Sequence, residues 1–301
     1  MEKLTMRLSL VSLCIFMLLI FISSDATESG SYKDATSPLP QVVKAPDLNK
    51  AFDWAGEPMP LTADAKERLD VELLSNSYYH SSTLQYLKRA HRYFPTMERI
   101  LREHGIPEDF KFLAVAESGL QHVSSAASAK GFWQFRKLAG KEYGLEINDE
   151  VDERYHLEKS TIAACKYLNY LHRRFGTWTD ASAAYNVGPT AYARQLKAQG
   201  EAGFYDMNLN RETSRYVFRI MAIKEIMSNP TEYGFYIDDV EKYPPLDNFY
   251  NVVVDKSVSN WGDFAREHGV TYRELKRYNP WLRDSHLTVI KNTYNVKIPR
   301  G

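Results

Sequence analysis

The spacing of apolar positions predicts a chain that is helical for most of its length and changes texture near its C-terminus. In the segment from Glu108 to Gly119, Phe110, Leu113, Ala114 and Glu117 fall at offsets 0, 3, 4 and 7, one face of a helix. Phe112, Val115 and Ala116 make most of the remaining surface apolar. A helix apolar nearly all round is a buried one, and Gly119 is placed to stop it. Upstream, Thr62 can cap a helix through Leu69, Leu73 and Leu74. A second helical stretch carries Leu84, Leu87, Arg89 and His91. Pro95 breaks that stretch or opens the next, which runs through Met97, Ile100 and Leu101 to Gly105.

Downstream, a small-residue loop spans 124–131. Residues 132–144 look helical, and Ser160 can cap a long helix with Ala164, Leu168, Leu171 and Phe175 on one stripe. Further helices are expected at about 179–185, 189–199 and 211–228, with Gly188-Pro189 as an interruption. Pro230, Gly234 and Pro244-Pro245 mark a boundary. Beyond it, Phe249-Tyr-Asn-Val-Val-Val254 reads as a strand, two short helices follow at about 260–268 and 271–278, and Tyr294-Asn-Val-Lys-Ile298 closes as a strand. A strand–helix–helix–strand unit of about 50 residues is near the lower size limit for an independent fold.

The N-terminus adds a destination. Lys3 and Arg7 precede an apolar run over 8–22, of signal-peptide length and short for a membrane span, and Ser24-Asp25-Ala26 offers small residues for cleavage. Residues 1–26 are therefore expected to be an export signal, with a retained membrane anchor as the other reading. Cys14 lies in that run. Once the run is removed Cys165 is the one remaining cysteine, which excludes an internal disulfide and leaves it as a small core residue. Residues 27–60 are rich in Ser, Thr, Pro, Asp and Lys and read as a linker or loosely ordered lead-in. The 301 residues carry zero formal net charge, which gives a nucleic-acid partner no electrostatic support. No Cys/His cluster has metal-site spacing, so no metal and no cofactor are expected. Aromatic residues make up 13%, including 20 Tyr and 5 Trp, and suit sugar binding as well as an ordinary core.

The candidate chemistry centres on Glu117. An apolar setting and the negative end of a helix dipole both raise a carboxyl pKa, and a carboxyl kept protonated near neutral pH can act as a general acid. The bland alternative is a solvated or ion-paired glutamate. Glu117-Ser118-Gly119 is followed in order by Gly131-Phe-Trp-Gln134-Phe135, Ala184-Tyr185-Asn186-Val187-Gly188 and Glu212-Thr213-Ser-Arg-Tyr216-Val217. This series resembles the soluble-lytic-transglycosylase family of lysozyme-like enzymes, in particular its membrane-bound lytic murein transglycosylase D group. Val151-Asp-Glu-Arg154 and Lys159-Ser-Thr-Ile-Ala-Ala164 resemble that group too, and the likeness covers about 65–230. Phe264-Ala265, Tyr272-Arg-Glu-Leu-Lys-Arg-Tyr-Asn279-Pro280 and Val296-Lys-Ile-Pro299 resemble a LysM domain, a glycan-binding repeat, although Asp255-Lys-Ser-Val258 replaces its usual Gly-Asp-Thr turn.

The resemblance implies a mainly α protein: a lysozyme-like helical catalytic domain over 61–235, a linker over 236–247 and a small α+β LysM-like module over 248–301. It implies cleavage of the bond between N-acetylmuramic acid and N-acetylglucosamine in peptidoglycan glycan strands, with Glu117 as the single catalytic acid and the substrate's own 6-hydroxyl as nucleophile, at the cell envelope. In that setting Gln134 bonds sugar hydroxyls or N-acetyl groups, or is a helix-surface amide. Tyr185 holds a sugar ring or the Glu117 carboxyl, or is a core aromatic. Asn186 binds substrate or satisfies a turn, and Tyr216 orients Glu117 or packs its helix. Ser118 and Ser125 bond the acid or substrate, or are structural, and Glu212 reads as a helix N-terminal residue. Departures fall in the loop before Gln134, where Ala126 and Ser128 replace typical Pro and Gly and the stretch from Glu117 to Ser125 is one residue short, and after it, where Phe135-Arg136 stands in place of Met-Pro. The rival readings are a hydrolytic muramidase and a non-catalytic peptidoglycan-binding envelope protein.

Overall fold

The computed structural model describes residues 44–300. The expected export signal, Cys14 and the first part of the expected lead-in lie outside the described residues. Among those described, the chain is mainly α, with two small antiparallel two-stranded sheets.

A hairpin of β1 (Asp53–Trp54) and β2 (Glu57–Pro58) comes first. The reading of a loose lead-in up to residue 60 does not hold here. Phe52, Trp54 and Met59 are buried in the helical core, and the Trp54 indole donates to Ser182 Oγ at 2.8 Å. The Glu57 carboxylate accepts from the backbone N–H groups of Trp178 (2.6 Å) and Thr179 (2.8 Å), satisfying free donors at a helix start. The polar composition around these three apolar residues concealed their role.

Helix α1 (Ala63–Tyr78) is capped by Thr62, whose side chain accepts from the Ala65 N–H. Helix α2 (His80–Glu103) runs unbroken through Pro95. Leu87 and Ala90 on one side of the proline and Met97, Ile100 and Leu101 on the other are all buried, so packing of both halves overrides the missing hydrogen bond. Helix α3 (Phe110–Ser118) is the predicted core helix and ends on Gly119 in the left-handed conformation. The expected helix over 132–144 is reduced to α4 (Lys137–Glu142), because Gly131 (φ +78°) and Gln134 (φ +49°) have left-handed backbones that no right-handed helix contains.

Helix α5 (Leu157–Phe175) takes His156, not Ser160, at its N-cap, and Ser160 lies in its first turn. Helices α6 (Trp178–Val187), α7 (Pro189–Gln199) and α8 (Arg211–Ser228) complete the helical body. Their buried faces converge on one core that includes Leu69, Leu73, Phe110, Leu113, Trp133, Leu168, Tyr192 and Phe218.

The C-terminal module is β3 (Phe249–Val254), α9 (Trp261–Glu267), α10 (Tyr272–Tyr278) and β4 (Tyr294–Pro299), with β3 and β4 paired antiparallel. Its own core contains Trp261, Leu275, Trp281, Val296 and Ile298, and Val151 and Tyr155 of the helical body enter that core. Residues 236–247, read as a linker, lie along α2: the Tyr243 N–H donates to the Lys88 carbonyl (3.1 Å) and Arg92 Nε to the Pro244 carbonyl (2.9 Å). The module is thus packed against the helical body, and Val151 and Leu282 form a β-bridge between the two.

Candidate active site

Glu117 occupies the last turn of α3, partly buried, and α8 passes beside it. Glu212, Tyr216 and Arg219 lie at offsets 0, 4 and 7 along α8, one stripe of that helix. The Tyr216 hydroxyl donates to Glu117 Oε1. Glu117 Oε2 has no hydrogen bond among the described residues. Burial pushes the Glu117 carboxyl up to about 7, against the lowering effects of the Tyr216 hydrogen bond and the Arg219 charge, while the Glu212 charge adds to the rise. Arg219 is only a weak opponent because its guanidinium serves Glu212 at 3.0 Å and the buried Glu72 at 3.6 Å. Burial pushes the Tyr216 hydroxyl well above its ordinary value, so it remains a donor to Glu117 across the accessible pH range.

The other predicted residues form a shell held in place by its own bonds. The Tyr185 hydroxyl donates to the Trp133 carbonyl at 2.6 Å, and its ring lies 5.1 Å from Tyr167. It does not hold the Glu117 carboxyl, but it is close enough that the Glu117 charge raises the Tyr185 pKa after burial has done so. Gln134 Nε2 donates to the Gly131 carbonyl (2.8 Å) and the Val123 carbonyl (3.3 Å). Ser118 Oγ lies within donating reach of the carbonyls of Ala114 (3.0 Å) and Phe132 (2.9 Å) and stitches α3 to the segment bearing Gln134. Ser125 Oγ accepts from the Ala129 N–H in the exposed loop. Asn186 Oδ1 accepts from Thr213 Oγ1 at 3.0 Å, tying the end of α6 to the start of α8.

Three supporting groups were missed from sequence. Arg89 Nη1 donates to the Gly119 carbonyl at 3.0 Å, at the C-terminal end of α3. Arg219 completes the α8 stripe, one turn past Tyr216, and helical spacing could have found it. Arg154, almost fully buried, donates to the carbonyls of Ser128 (3.3 Å) and Phe135 (3.2 Å), at either end of the stretch that contains Gln134. Its place in the Val151-Asp-Glu-Arg154 run gave no sign of those partners.

Comparison with known proteins finds similarity in both parts of the chain. Residues 96–208 match the transglycosylase SLT domain, and residues 250–301 match the soluble lytic transglycosylase C-terminal LysM-like domain. The chain is 27% identical over 241 residues to membrane-bound lytic murein transglycosylase D of Escherichia coli strain K12, covering 78% of this chain and 51% of that protein. The protein of the same name in Escherichia coli O6:H1 strain CFT073 gives the same figures. This chain therefore spans about half the length of the curated relatives it matches. Among solved structures, an inactive mutant of lytic transglycosylase Slt from Pseudomonas aeruginosa matches at 20% identity and a TM-score of 0.37, covering 50% of this chain and 26% of that one, too slight a likeness to carry an argument. The part of the helical body that holds Glu117, residues 96–208, is thus similar to a transglycosylase SLT domain, and residues 250–301 to a soluble lytic transglycosylase C-terminal LysM-like domain.

Proposed function

We propose that this protein is an exported peptidoglycan lytic transglycosylase. It would cleave the β-1,4 bond between N-acetylmuramic acid and N-acetylglucosamine in cell-wall turnover or remodelling and leave a 1,6-anhydromuramoyl end. The observation that carries the proposal is the Glu117 carboxyl, raised to about 7 by burial and held at one oxygen by Tyr216. Near neutral pH such a group exists in both protonation states, as an acid that must later serve as a base requires. Protonated Glu117 gives its proton to the glycosidic oxygen as the bond to C1 breaks. The muramic acid 6-hydroxyl then closes onto C1, and its proton returns to Glu117. No water is consumed, and the nucleophile is already part of the substrate.

A retaining hydrolase would add a carboxylate nucleophile, and an inverting one a carboxylate base for water. Glu212, the acid whose charge Glu117 feels, is instead tied to Arg219. Ser118, Gln134, Tyr185 and Asn186 line or brace the place where the glycan would lie, and Ser125 belongs to its outer loop. Mass spectrometry of products from intact sacculi tests the reading. Disaccharides lighter than the hydrolysis product by one water are expected; reducing ends alone would assign the protein to the hydrolases, and binding without cleavage would make it a peptidoglycan-binding protein.

Export and envelope association rest on the apolar N-terminal run and on relatives whose name calls them membrane-bound. A second outcome concerns Tyr216. Its hydrogen bond lowers the Glu117 pKa, so Tyr216→Phe should move the alkaline limb of the pH–kcat/KM profile to higher pH. Loss of one oriented bond should also lower kcat by about tenfold. A limb that stays put or moves down would remove Tyr216 from this role.

A further inference from the structure

The loop and turn over 124–135 form an irregular wall beside α3. A bridge pairs Ser124 with Lys130, and another pairs Lys130 with Phe135. Two non-glycine residues in it, Ser128 (φ +59°) and Gln134 (φ +49°), have left-handed backbones. Each is an uncommon conformation for an L residue and persists only where its surroundings impose it. Arg154 supplies that constraint, since its Nη1 binds the carbonyl of Ser128 itself and that of Phe135, next to Gln134.

Arg154 is fixed in turn by the buried Asp152, through Nε to Oδ1 (2.8 Å) and Nη2 to Oδ2 (2.7 Å). A buried pair of this kind contributes little net stability but fixes geometry well. The Asp152 backbone then belongs to the module contact: its N–H donates to the Trp281 carbonyl at 2.9 Å, and the Arg283 N–H donates to the Glu150 carbonyl at 2.7 Å. Side chains secure the same seam. The Glu150 carboxylate accepts from the Thr288 N–H (2.5 Å) and hydroxyl (3.0 Å), Glu146 accepts from the Tyr294 hydroxyl (3.0 Å), and Lys297 pairs with Glu158.

We propose that the LysM-like module is a buttress of the glycan-binding wall: its docking on residues 150–158 fixes Asp152 and Arg154, and these hold Ser128 and Gln134 in the strained shape that receives the sugar. A tethered binding module would raise only the local substrate concentration. This one also sets the affinity of the wall for the glycan. Arg154 is a positioning residue, acting through the wall. The proposal rests on the transglycosylase reading for its effect on substrate, while its structural half can be measured without substrate.

The test uses the full chain in two variants. Arg154→Lys keeps the charge but cannot hold Asp152 and two carbonyls together. Glu150→Ala/Lys297→Ala cuts side-chain contacts across the seam and leaves Asp152 and Arg154 untouched, so it serves even if Arg154→Lys does not fold. Hydrogen exchange is read on the free proteins, and KM and kcat on soluble, uncrosslinked glycan strands. For Arg154→Lys, exchange over 124–135 should speed up about tenfold and KM rise about tenfold, with kcat and the pH profile nearly unchanged. The double variant should move both readouts in the same direction by about threefold. If the double variant loosens 146–158 but leaves exchange over 124–135 unchanged, the module does not hold the wall and the proposal is overturned. If the wall loosens as expected but the parent chain cleaves no glycan, the buttress stands and the transglycosylase reading falls.

Discussion

Glu117→Gln is expected to abolish glycan cleavage while making the protein more stable above neutral pH. On the proposed mechanism the amide, though nearly isosteric, cannot deliver the proton to the leaving oxygen or take one from the 6-hydroxyl, so kcat should fall by about 10³-fold or more. The stability effect follows from linkage. The folded-state pKa of Glu117 is about 7, above the ordinary 4.5, because burial disfavours the charged form. Between those values the folded protein holds a proton that the unfolded chain has released, so this residue's contribution declines as pH rises from about 4.5 to 7 and then levels off. The loss at pH 8 is about 3 kcal/mol. The glutamine cannot ionise and escapes it. Parent and variant should therefore melt at similar temperatures near pH 4, and the variant at the higher temperature at pH 8. A variant that is inactive but less stable at pH 8 would indicate that Glu117 serves the fold. A variant that still cleaves sacculi at the parental rate would remove the acid from the mechanism.

The same residue shows what could be read in the sequence. The 0, 3, 4, 7 spacing of Phe110, Leu113, Ala114 and Glu117 placed the carboxyl at the end of a buried helix, and Gly119 ended that helix where expected. Period-3.6 and β-branched patterns likewise located α8 and the strands of the module. These are local signals, carried by neighbouring positions. The pairing of Glu117 with Tyr216 spans 99 positions, and no periodicity reports it; the motif order named both residues without saying which atoms meet. Pro95 misled because a local rule disfavours proline inside a helix, whereas burial on both sides of it decides the outcome. The segment over 132–136 misled in the opposite sense, since its composition permits a helix while the left-handed backbones at Gly131 and Gln134 exclude one. The seam between body and module was invisible because backbone groups of residues 150–152 make much of it, and they leave little trace in side-chain pattern.

Gly131→Ala should be among the most damaging single substitutions in the chain, although it adds one methyl group. The backbone of Gly131 has φ +78°, where an L residue is strained. A Cβ built there would lie 1.9 Å from the Arg154 carbonyl oxygen and 2.7 Å from the carbonyl carbon. Those are backbone atoms, fixed on one side by the Arg154–Asp152 pair and on the other by the start of α5, so no rotamer change relieves the clash. The wall must move away from Arg154, which breaks the bonds to Ser128 and Phe135 and leaves a buried guanidinium with unpaired donors. Strain, overlap and unpaired donors together should cost about 4 kcal/mol. A thermal melt would show this as a large fall in Tm at every pH, unlike the pH-dependent gain expected for Glu117→Gln. Gly119→Ala offers the contrast: its closest neighbour is the edge of the Tyr86 ring at 2.8 Å, a side chain that can shift, so the loss there should be smaller despite a similar positive φ. If Gly131→Ala melts with the parent, Arg154 is free to retreat, and the rigidity ascribed to this seam does not exist.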